Sequence, residues 1–158
     1  MGVLCPPLEL ELDPVIELNL GCGRLVHPGA VNVDHVALPG VDVVHDLDVT
    51  PWPLPTAHFD QITAAQIFEH LSNPVGFMVE CHRVLKPGGL LWLSVPHWQS
   101  ENSFTDPTHV RHCTERTWDY WCAGTTLHAQ FGAAYGDVTF EKRSVARVAD
   151  DIHVELIR

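Results

Sequence analysis

The sequence has little of what membrane or secreted proteins need. None of its 158 residues belongs to an apolar run approaching the roughly 20 residues of a membrane-spanning helix. The opening residues, MGVLCPPLELELDP, do not place an apolar stretch after basic residues, as a signal peptide does. The five cysteines are odd in number and form no C-x-x-C pair, which favours free thiols over a disulfide framework. We therefore expect a cytoplasmic protein with no membrane attachment.

Basic residues are also scarce. Nine Lys and Arg stand against 20 Asp and Glu, which gives a formal net charge of −11. A surface of that sign repels phosphate backbones, so we expect a small-molecule substrate and no nucleic acid partner. The length suits one domain with a sizeable core. We predict a single domain over residues 1–158, with residues 1–14 as an N-terminal extension.

Strands dominate the first two thirds of the predicted secondary structure. Short apolar runs favour strands, and the three prolines of residues 49–59 favour a loop. A helix is predicted from Pro74 and Val75, with Lys86, Pro87, Gly88 and Gly89 supplying a basic last turn, a stop and a left-handed cap. The predicted strands cover residues 15–20, 31–34, 41–46, 60–65 and 90–96.

The C-terminal third predicts a short helix and a hairpin. The helix spans residues 115–122, with Thr114 as its cap. Residues 137–148 and 151–158 predict two strands joined by a tight turn at residues 149–151. Strands that alternate with helices indicate an α/β fold with a parallel sheet, to which this pair adds an antiparallel hairpin.

Two glycines follow the first predicted strand as Gly21-Cys22-Gly23, and Asp34 ends the next strand thirteen residues beyond Gly21. An acid at that place can accept hydrogen bonds from both hydroxyls of a ribose. Taken alone, however, the glycines are equally consistent with a plain turn. Only seven residues separate Gly23 from Val31, so no full crossover helix fits, and the third glycine of a dinucleotide fingerprint is missing. A nicotinamide-dependent oxidoreductase is therefore a weak alternative.

The short connections after strands 1 and 2 predict shortened or missing helices and an open, apolar sheet face. We expect residues 1–14, or the partner in a homodimer, to cover that face.

Six segments together carry a family resemblance. They occur in the order LNLGCG, VNVD, VVHDLDV, PLPTAHFDQITAAQIFEHL, ECHRVLKPGGLLWLSVP and DPTHVRHCTERTW. Over residues 15–120 the chain resembles the small bacterial class I S-adenosylmethionine-dependent methyltransferases, type 11-like. The resemblance implies a compact Rossmann-like sheet, S-adenosyl-L-methionine as cofactor, and methyl transfer to a small-molecule acceptor at oxygen, nitrogen or carbon.

The resemblance also implies cofactor-binding positions. Gly21 and Gly23 would let the backbone approach the ligand, Asp34 would bind the ribose hydroxyls, and Asp46 and Leu47 would receive the adenine. Asn19 stands where many relatives carry an acid. Asp34 and Asp46 could instead be strand-end caps, and Gln66 could cap a short helix. The implied set is Asn19, Gly21, Cys22, Gly23, Asp34, His35, Asp46, Leu47 and Gln66.

Residues 97–113 are expected to form the substrate-side loop. A base is needed only if the acceptor must lose a proton, and histidine suits that role near neutral pH. We predict His97, His109 or His70 as the base. Glu69 and His70 could equally pair with each other as a structural contact. The predicted acceptor-binding residues are Trp98, His109, Arg111 and His112.

Two further alternatives stay open: a module that binds the cofactor without catalysis, and a metal-binding interaction domain. His109, His112 and Cys113 offer metal-binding atoms, but no second set follows at zinc-site spacing, so no metal site is predicted.

Overall fold

A seven-stranded sheet organises the protein, for which a computed structural model describes residues 14–158. Across the sheet the strands are arranged in the order β3-β2-β1-β4-β5-β7-β6, and β7 alone runs opposite to the other six. The predicted α/β sheet, mostly parallel with a C-terminal antiparallel hairpin, is confirmed. The strands are Glu17–Leu20 (β1), Val31–Asp34 (β2), Val43–Val44 (β3), Phe59–Ala65 (β4), Leu85–Pro96 (β5), Glu141–Val148 (β6) and Asp151–Ile157 (β7).

Helices are few and short. In the main helix, α1, Pro74 occupies the first turn and the Asn73 side chain accepts a hydrogen bond from the Gly76 N–H at 2.9 Å. No helix within residues 14–158 has the length and apolar character needed to cross a bilayer. The α-helices are Pro74–Val84 (α1), Asn102–Thr105 (α2) and Thr126–Phe131 (α3), and the 3-10 helices are Phe68–His70, Thr117–Tyr120 and Gly132–Tyr135.

The core lies on one face of the sheet. Alternate strand residues such as Leu20, Ile62 and Leu93 are fully buried there, as the two-residue period of a strand requires. They form one cluster with Phe77 of α1 and with Trp118 from the segment after β5. The helices and loops that follow β4 and β5 therefore cover this face.

Side-chain amides replace the missing crossover helices. No helix lies between β1 and β2 or between β2 and β3, as predicted. The Asn19 amide donates to the Asn32 side-chain oxygen at 3.0 Å and to the Leu25 carbonyl at 2.9 Å. The Asn32 oxygen also accepts from the His27 N–H at 2.8 Å. These bonds satisfy backbone groups that a helix would otherwise have paired internally.

The face without helices is polar near β1, β2 and β4, and the expectation of an apolar face is wrong there. The Glu17 carboxylate accepts from the Thr63 hydroxyl at 2.9 Å and pairs with the His27 ring at 2.9 Å. Asn19 and Asn32 lie in the same row as Thr63. The homodimer expected to cover this face stays a prediction. Of the extension expected to cover this face, residues 1–13 lie outside the described part of the chain.

The predicted end of α1 differs from the observed one. The helix ends at Val84, and Leu85 is already extended, so no left-handed glycine caps it. Gly88 does have a positive φ of 80°, but it belongs to β5, at a shift in the pairing with β4. There the Gly88 N–H donates to the Arg158 carbonyl at 2.8 Å, and the Arg158 N–H donates back to Gly89 at 3.0 Å. Gly88 and Gly89 therefore pair with Arg158 as part of β5 and do not cap α1.

Two other predicted elements are shorter than expected. Residues 115–122 form only the 3-10 helix Thr117–Tyr120, although the Thr114 hydroxyl does accept a hydrogen bond from the Arg116 N–H at 3.2 Å. The predicted strand over residues 41–46 reduces to Val43–Val44 at the sheet edge, where only one neighbour is available.

A buried carboxylate on α1 holds the proline-rich loop of residues 49–59. Glu80 accepts from the Trp52 N–H at 2.7 Å and from two nitrogens of Arg83 at 2.7 and 2.8 Å. Arg83 in turn donates to the carbonyl of Leu54 at 2.9 Å. Burial alone would raise the pKa of Glu80, but the hydrogen bonds from Arg83 and Trp52 outweigh it and hold that pKa below its usual value.

We predict that Glu80→Gln lowers the free energy of unfolding at pH 7 by about 3 kcal/mol, because one partner of a buried charge pair is removed. The pKa of Glu80 is depressed in the folded state, so its stabilisation exists above the unfolded-state pKa of about 4.3 and is lost as the pH falls through the folded-state value. Urea denaturation of both proteins at neutral and acidic pH measures this. The exposed Glu101→Gln is the control, and a difference independent of pH would contradict the assignment.

Candidate functional site

A cavity of about 430 Å³ opens at the carboxyl ends of the parallel strands, where ligands bind in open α/β sheets. It contains six members of the cofactor-binding set predicted from the resemblance, drawn from the ends of four different strands. The strand ends converge there because β1, β2, β3 and β4 are parallel neighbours. The lining residues are Gly21, Asp34, His35, His45, Asp46, Leu47, Asp48, Gln66, Ile67, His70, Leu71 and Thr108.

The glycine turn after β1 needs its first glycine for two reasons. Gly21 has a φ of +63°, and a Cβ on it would lie 2.7 Å from Cγ1 of Ile67. Gly23 also has a positive φ, at +51°, but a Cβ there would meet nothing within 4 Å. Close approach therefore matters at Gly21, whereas Gly23 serves the turn.

Asp34 closes this turn from the neighbouring strand. One carboxylate oxygen accepts from the Gly23 N–H at 2.8 Å, and the other accepts from the Val36 N–H at 2.9 Å. The Asp34 residue is only 7% exposed, and the His35 ring lies 3.4 Å from its carboxylate. Asp34 thus acts as a strand-end cap. Because each carboxylate oxygen has a second lone pair, it can still accept a hydrogen bond from a ligand in the cavity.

The turn after β3 supplies the next wall. Asp46 is exposed, and its carboxylate accepts from the Asp48 N–H at 3.0 Å. Leu47 is buried, and its carbonyl accepts from the Trp52 indole at 3.2 Å. Asp48 accepts from the N–H groups of Ser72 and Asn73 at 3.0 and 2.8 Å, at the start of α1. The turn after β3 is therefore held through Leu47 to Trp52 and through Asp48 to the start of α1.

Gln66 leaves β4 in a strained conformation. Its φ is +53°, in the left-handed region that a residue with a Cβ enters at a cost of about 1–2 kcal/mol. Its amide donates to the Ser94 hydroxyl at 2.9 Å, and its N–H donates to the Ser94 carbonyl at 2.8 Å. Strain of this kind is often found at ligand sites.

Beside the cavity, Glu69, His70 and His109 form a cluster of titratable side chains. One carboxylate oxygen of Glu69 and one ring nitrogen of each histidine all lie within 4.8 Å of one another. Burial, with smaller contributions from the charges of Asp151 and Asp106, raises the pKa of Glu69 to about 7. Burial, together with the charge of His109, lowers the pKa of His70. Within residues 14–158, Glu69 and His70 form no hydrogen bond with each other, so their expected structural pairing is absent.

Comparisons with known proteins agree with this geometry. Residues 26–93 match the family model described as a methyltransferase domain. A ubiquinone biosynthesis O-methyltransferase from Maricaulis maris is 46% identical over 90 residues, which cover 57% of this chain and 35% of the relative. The chain spans about a quarter to a third of the length of the first curated relatives that it matches.

Solved structures share the fold over most of the chain. A SAM-dependent methyltransferase from Aquifex aeolicus superposes with a TM-score of 0.60 at 20% identity, covering 90% of this chain and 81% of that one. The 1,6-didemethyltoxoflavin-N1-methyltransferase of Burkholderia thailandensis, with bound S-adenosylhomocysteine, gives 0.61 at 16% identity, with coverages of 92% and 71%. Residues 26–93 are therefore similar to a methyltransferase domain, and the chain shares its fold with solved S-adenosylmethionine-dependent methyltransferases.

Several residues predicted for the site lie away from the cavity. Asn19 donates to the Leu25 carbonyl of the β1–β2 loop, Cys22 is buried, and the Gly23 N–H is bonded to Asp34. His97 is 3% exposed, and its ring lies 3.5 Å from Glu115. Trp98, next to it, is 46% exposed.

A second cavity of about 220 Å³ contains two of the residues predicted to bind the acceptor, Arg111 and His112. Arg111 donates to the Leu71 carbonyl at 2.9 Å and lies over the Phe68 ring at 5.7 Å. His112 stacks on Phe104 with ring centroids 4.0 Å apart. The remaining residues that line it are Phe68, Pro74, Cys113, Thr117, Tyr120, Trp121 and Tyr135.

The predicted substrate-side loop, residues 97–113, reaches the larger cavity through Thr108. Thr108 was not predicted, and neither were the other lining residues His45, Asp48, Ile67 and Leu71. His45 and Asp48 flank Asp46 and Leu47 in one turn, so the same strand-end argument would have found them. Thr108 and Leu71 arrive through tertiary contacts that no local pattern signals.

We predict that Gly21→Ala lowers the free energy of unfolding more than Gly29→Ala does. Both glycines have a positive φ, +63° and +86°, so each alanine carries a backbone cost of about 1–2 kcal/mol. Only at Gly21 does the added Cβ meet another side chain, which adds about 1–3 kcal/mol of overpacking. Chemical denaturation measures both losses, and Ile67→Val should recover part of the excess at Gly21. Equal losses at the two positions would contradict the close contact.

Proposed function

We propose that the chain binds S-adenosylmethionine in the cavity of about 430 Å³ and transfers its methyl group to a small-molecule acceptor. The observation that carries the proposal is the convergence of Gly21, Asp34 and Asp46 at the ends of three adjacent parallel strands. The fold and the methyltransferase-domain match over residues 26–93 support it. The acidic surface supports a small acceptor over a nucleic acid.

The cavity offers groups that match an adenosyl ligand. Asp34 would accept from the ribose hydroxyls while keeping its hold on Gly23 and Val36. Asp46 would accept from the adenine amino group. The N–H of the buried Leu47 donates no hydrogen bond to any of residues 14–158, so it is available to an adenine ring nitrogen. Gly21 and Ile67 pack closely against each other and line the cavity, on the side that we assign to the amino-acid portion of the ligand.

When bound, S-adenosylmethionine supplies a methyl group already activated by a positively charged sulfur. The remaining task for the protein is to align an acceptor atom behind that methyl, and such positioning can lower a barrier by about 7–11 kcal/mol. His70 and Thr108 line the same cavity, and we assign the acceptor to their side of it. The Maricaulis maris relative is an O-methyltransferase by name, which supports oxygen as the acceptor atom here.

Calorimetric titration with S-adenosylhomocysteine tests cofactor binding. We expect Asp46→Ala to weaken binding by about 1–3 kcal/mol, because the adenine amino group loses its partner. Asp137→Asn is the matched control, since Asp137 is an exposed acid outside the cavity. Failure of the unsubstituted chain to bind would overturn the proposal.

Methyl transfer from labelled S-adenosylmethionine to a panel of hydroxylated small molecules then separates an enzyme from a cofactor-binding module. Binding without transfer to any of them would favour the module.

A further inference from the structure

Glu69 is a buried carboxylate that the fold leaves without a partner. The residue is 2% exposed, and neither of its oxygens accepts a hydrogen bond from the described residues. Burying a carboxylate in this way is costly unless a proton or a cation compensates for it. The only other buried, unpaired side-chain atom in residues 14–158 is the indole nitrogen of Trp118, which is uncharged.

The two neighbouring histidines, His70 and His109, each use only one ring nitrogen in a hydrogen bond. The Thr108 hydroxyl donates to Asp106 at 2.7 Å, so at 2.9 Å it can only accept from Nδ1–H of His70. Nδ1–H of His109 likewise donates to the Ser103 carbonyl at 3.2 Å. In both rings Nε2 is therefore left with a lone pair. Metal-binding histidines are typically oriented in this way, by a hydrogen bond from the other ring nitrogen.

The three side chains are close enough to share one ion. Their ligand atoms lie within 4.8 Å of one another. Two atoms bonded to one tetrahedral metal at about 2.0–2.2 Å lie about 3.3–3.6 Å apart, so a closure of at most about 1.5 Å for any pair suffices. The Val110 N–H donates to the Glu69 carbonyl at 3.0 Å, which links the 3-10 helix of Glu69 to the loop of His109.

We propose that Glu69, His70 and His109 bind one divalent transition-metal ion. Two imidazoles and one carboxylate are a ligand set for zinc, manganese or iron, whereas magnesium favours oxygen ligands. Three protein ligands also leave coordination positions open, as catalytic metal sites do. The site reassigns His70 and His109, predicted as proton acceptors, to metal ligands.

The position of the metal site indicates that a bound ion would activate the methyl acceptor, an inference that rests on the proposed function. His70 belongs both to the cluster and to the cavity wall, so a bound ion lies where the acceptor is expected. A metal-bound hydroxyl loses its proton to water more readily. Its oxygen then forms the bond to the methyl carbon while the carbon–sulfur bond breaks, leaving a neutral thioether. The open positions favour an acceptor with two adjacent oxygen atoms that chelate the ion.

Zinc binding tests the site directly. The chain is stripped with a chelator, dialysed against Zn²⁺ and analysed for metal, and Co²⁺ is titrated while its visible absorption is recorded. We expect one ion per chain, and at least a tenfold weaker affinity in Glu69→Gln, His70→Ala and His109→Ala. His112→Ala is the matched control, because His112 lies on the same loop but outside the cluster. Equal zinc content in the original chain and all variants would overturn the proposal.

Two further readouts keep the conclusions separate. Zn²⁺ should raise the melting temperature of the original chain but not that of Glu69→Gln, since only the former gains a ligand on folding. Calorimetry with S-adenosylhomocysteine is run on the same samples. Zinc binding without nucleoside binding would support the metal site and reject the proposed function, and the reverse result would reject the metal site alone.

The acceptor class is tested with a catechol and the matching phenol. The zinc-loaded chain should methylate the catechol at least tenfold faster, and Glu69→Gln should lose that preference. Equal rates for the two acceptors in the zinc-loaded chain would overturn the chelation step.

Discussion

The shortness of the connections on either side of β2 is the constraint on which the rest of the structure depends. A crossover of that length cannot satisfy its own backbone, so polar side chains on the strands must do it. Asn19 and Asn32 bind the loop before β2, and the Asp42 carboxylate binds the Asn32 N–H at 2.8 Å from the loop after it. Asp34 binds the glycine turn. One sheet face is consequently polar, and the acids needed for a ligand are already in place at the strand ends.

In the proposed function, binding and folding would therefore draw on the same groups. Asp34 holds Gly23 and Val36 while lining the cavity, and Gln66 holds Ser94 from a strained backbone at the cavity wall. In a fold with full crossover helices, different residues can hold the loops and bind the ligand. With connections as short as these, the same residues would do both. Glu69 is the exception, because no contact within the described residues uses its carboxylate. For this reason it points to a ligand more clearly than the acids that also support loops.

Local pattern was enough to predict the sheet. Asp34 could be placed by its position at a strand end, whereas Asp46 and Gln66 came from the family resemblance. All three line one cavity because strand ends in a parallel sheet converge. No comparable rule predicts the direction in which a loop side chain points. His97 is buried against Glu115, and Arg111 donates to the Leu71 carbonyl and lines the smaller cavity. The prediction for Gly88 was wrong because its partner, Arg158, is far away along the sequence. The isolation of Glu69 is a tertiary fact that no spacing reveals.

Asp48 joins the cavity to α1, because its carboxylate accepts the first free N–H groups ahead of that helix while its side chain forms part of the wall. Helix ends fray because such groups otherwise depend on solvent. An occupant that steadies the turn after β3 would thus also slow amide exchange at Ser72 and Asn73. Since Glu80 on the same helix restrains the proline-rich loop, that rigidity would extend to residues 49–59.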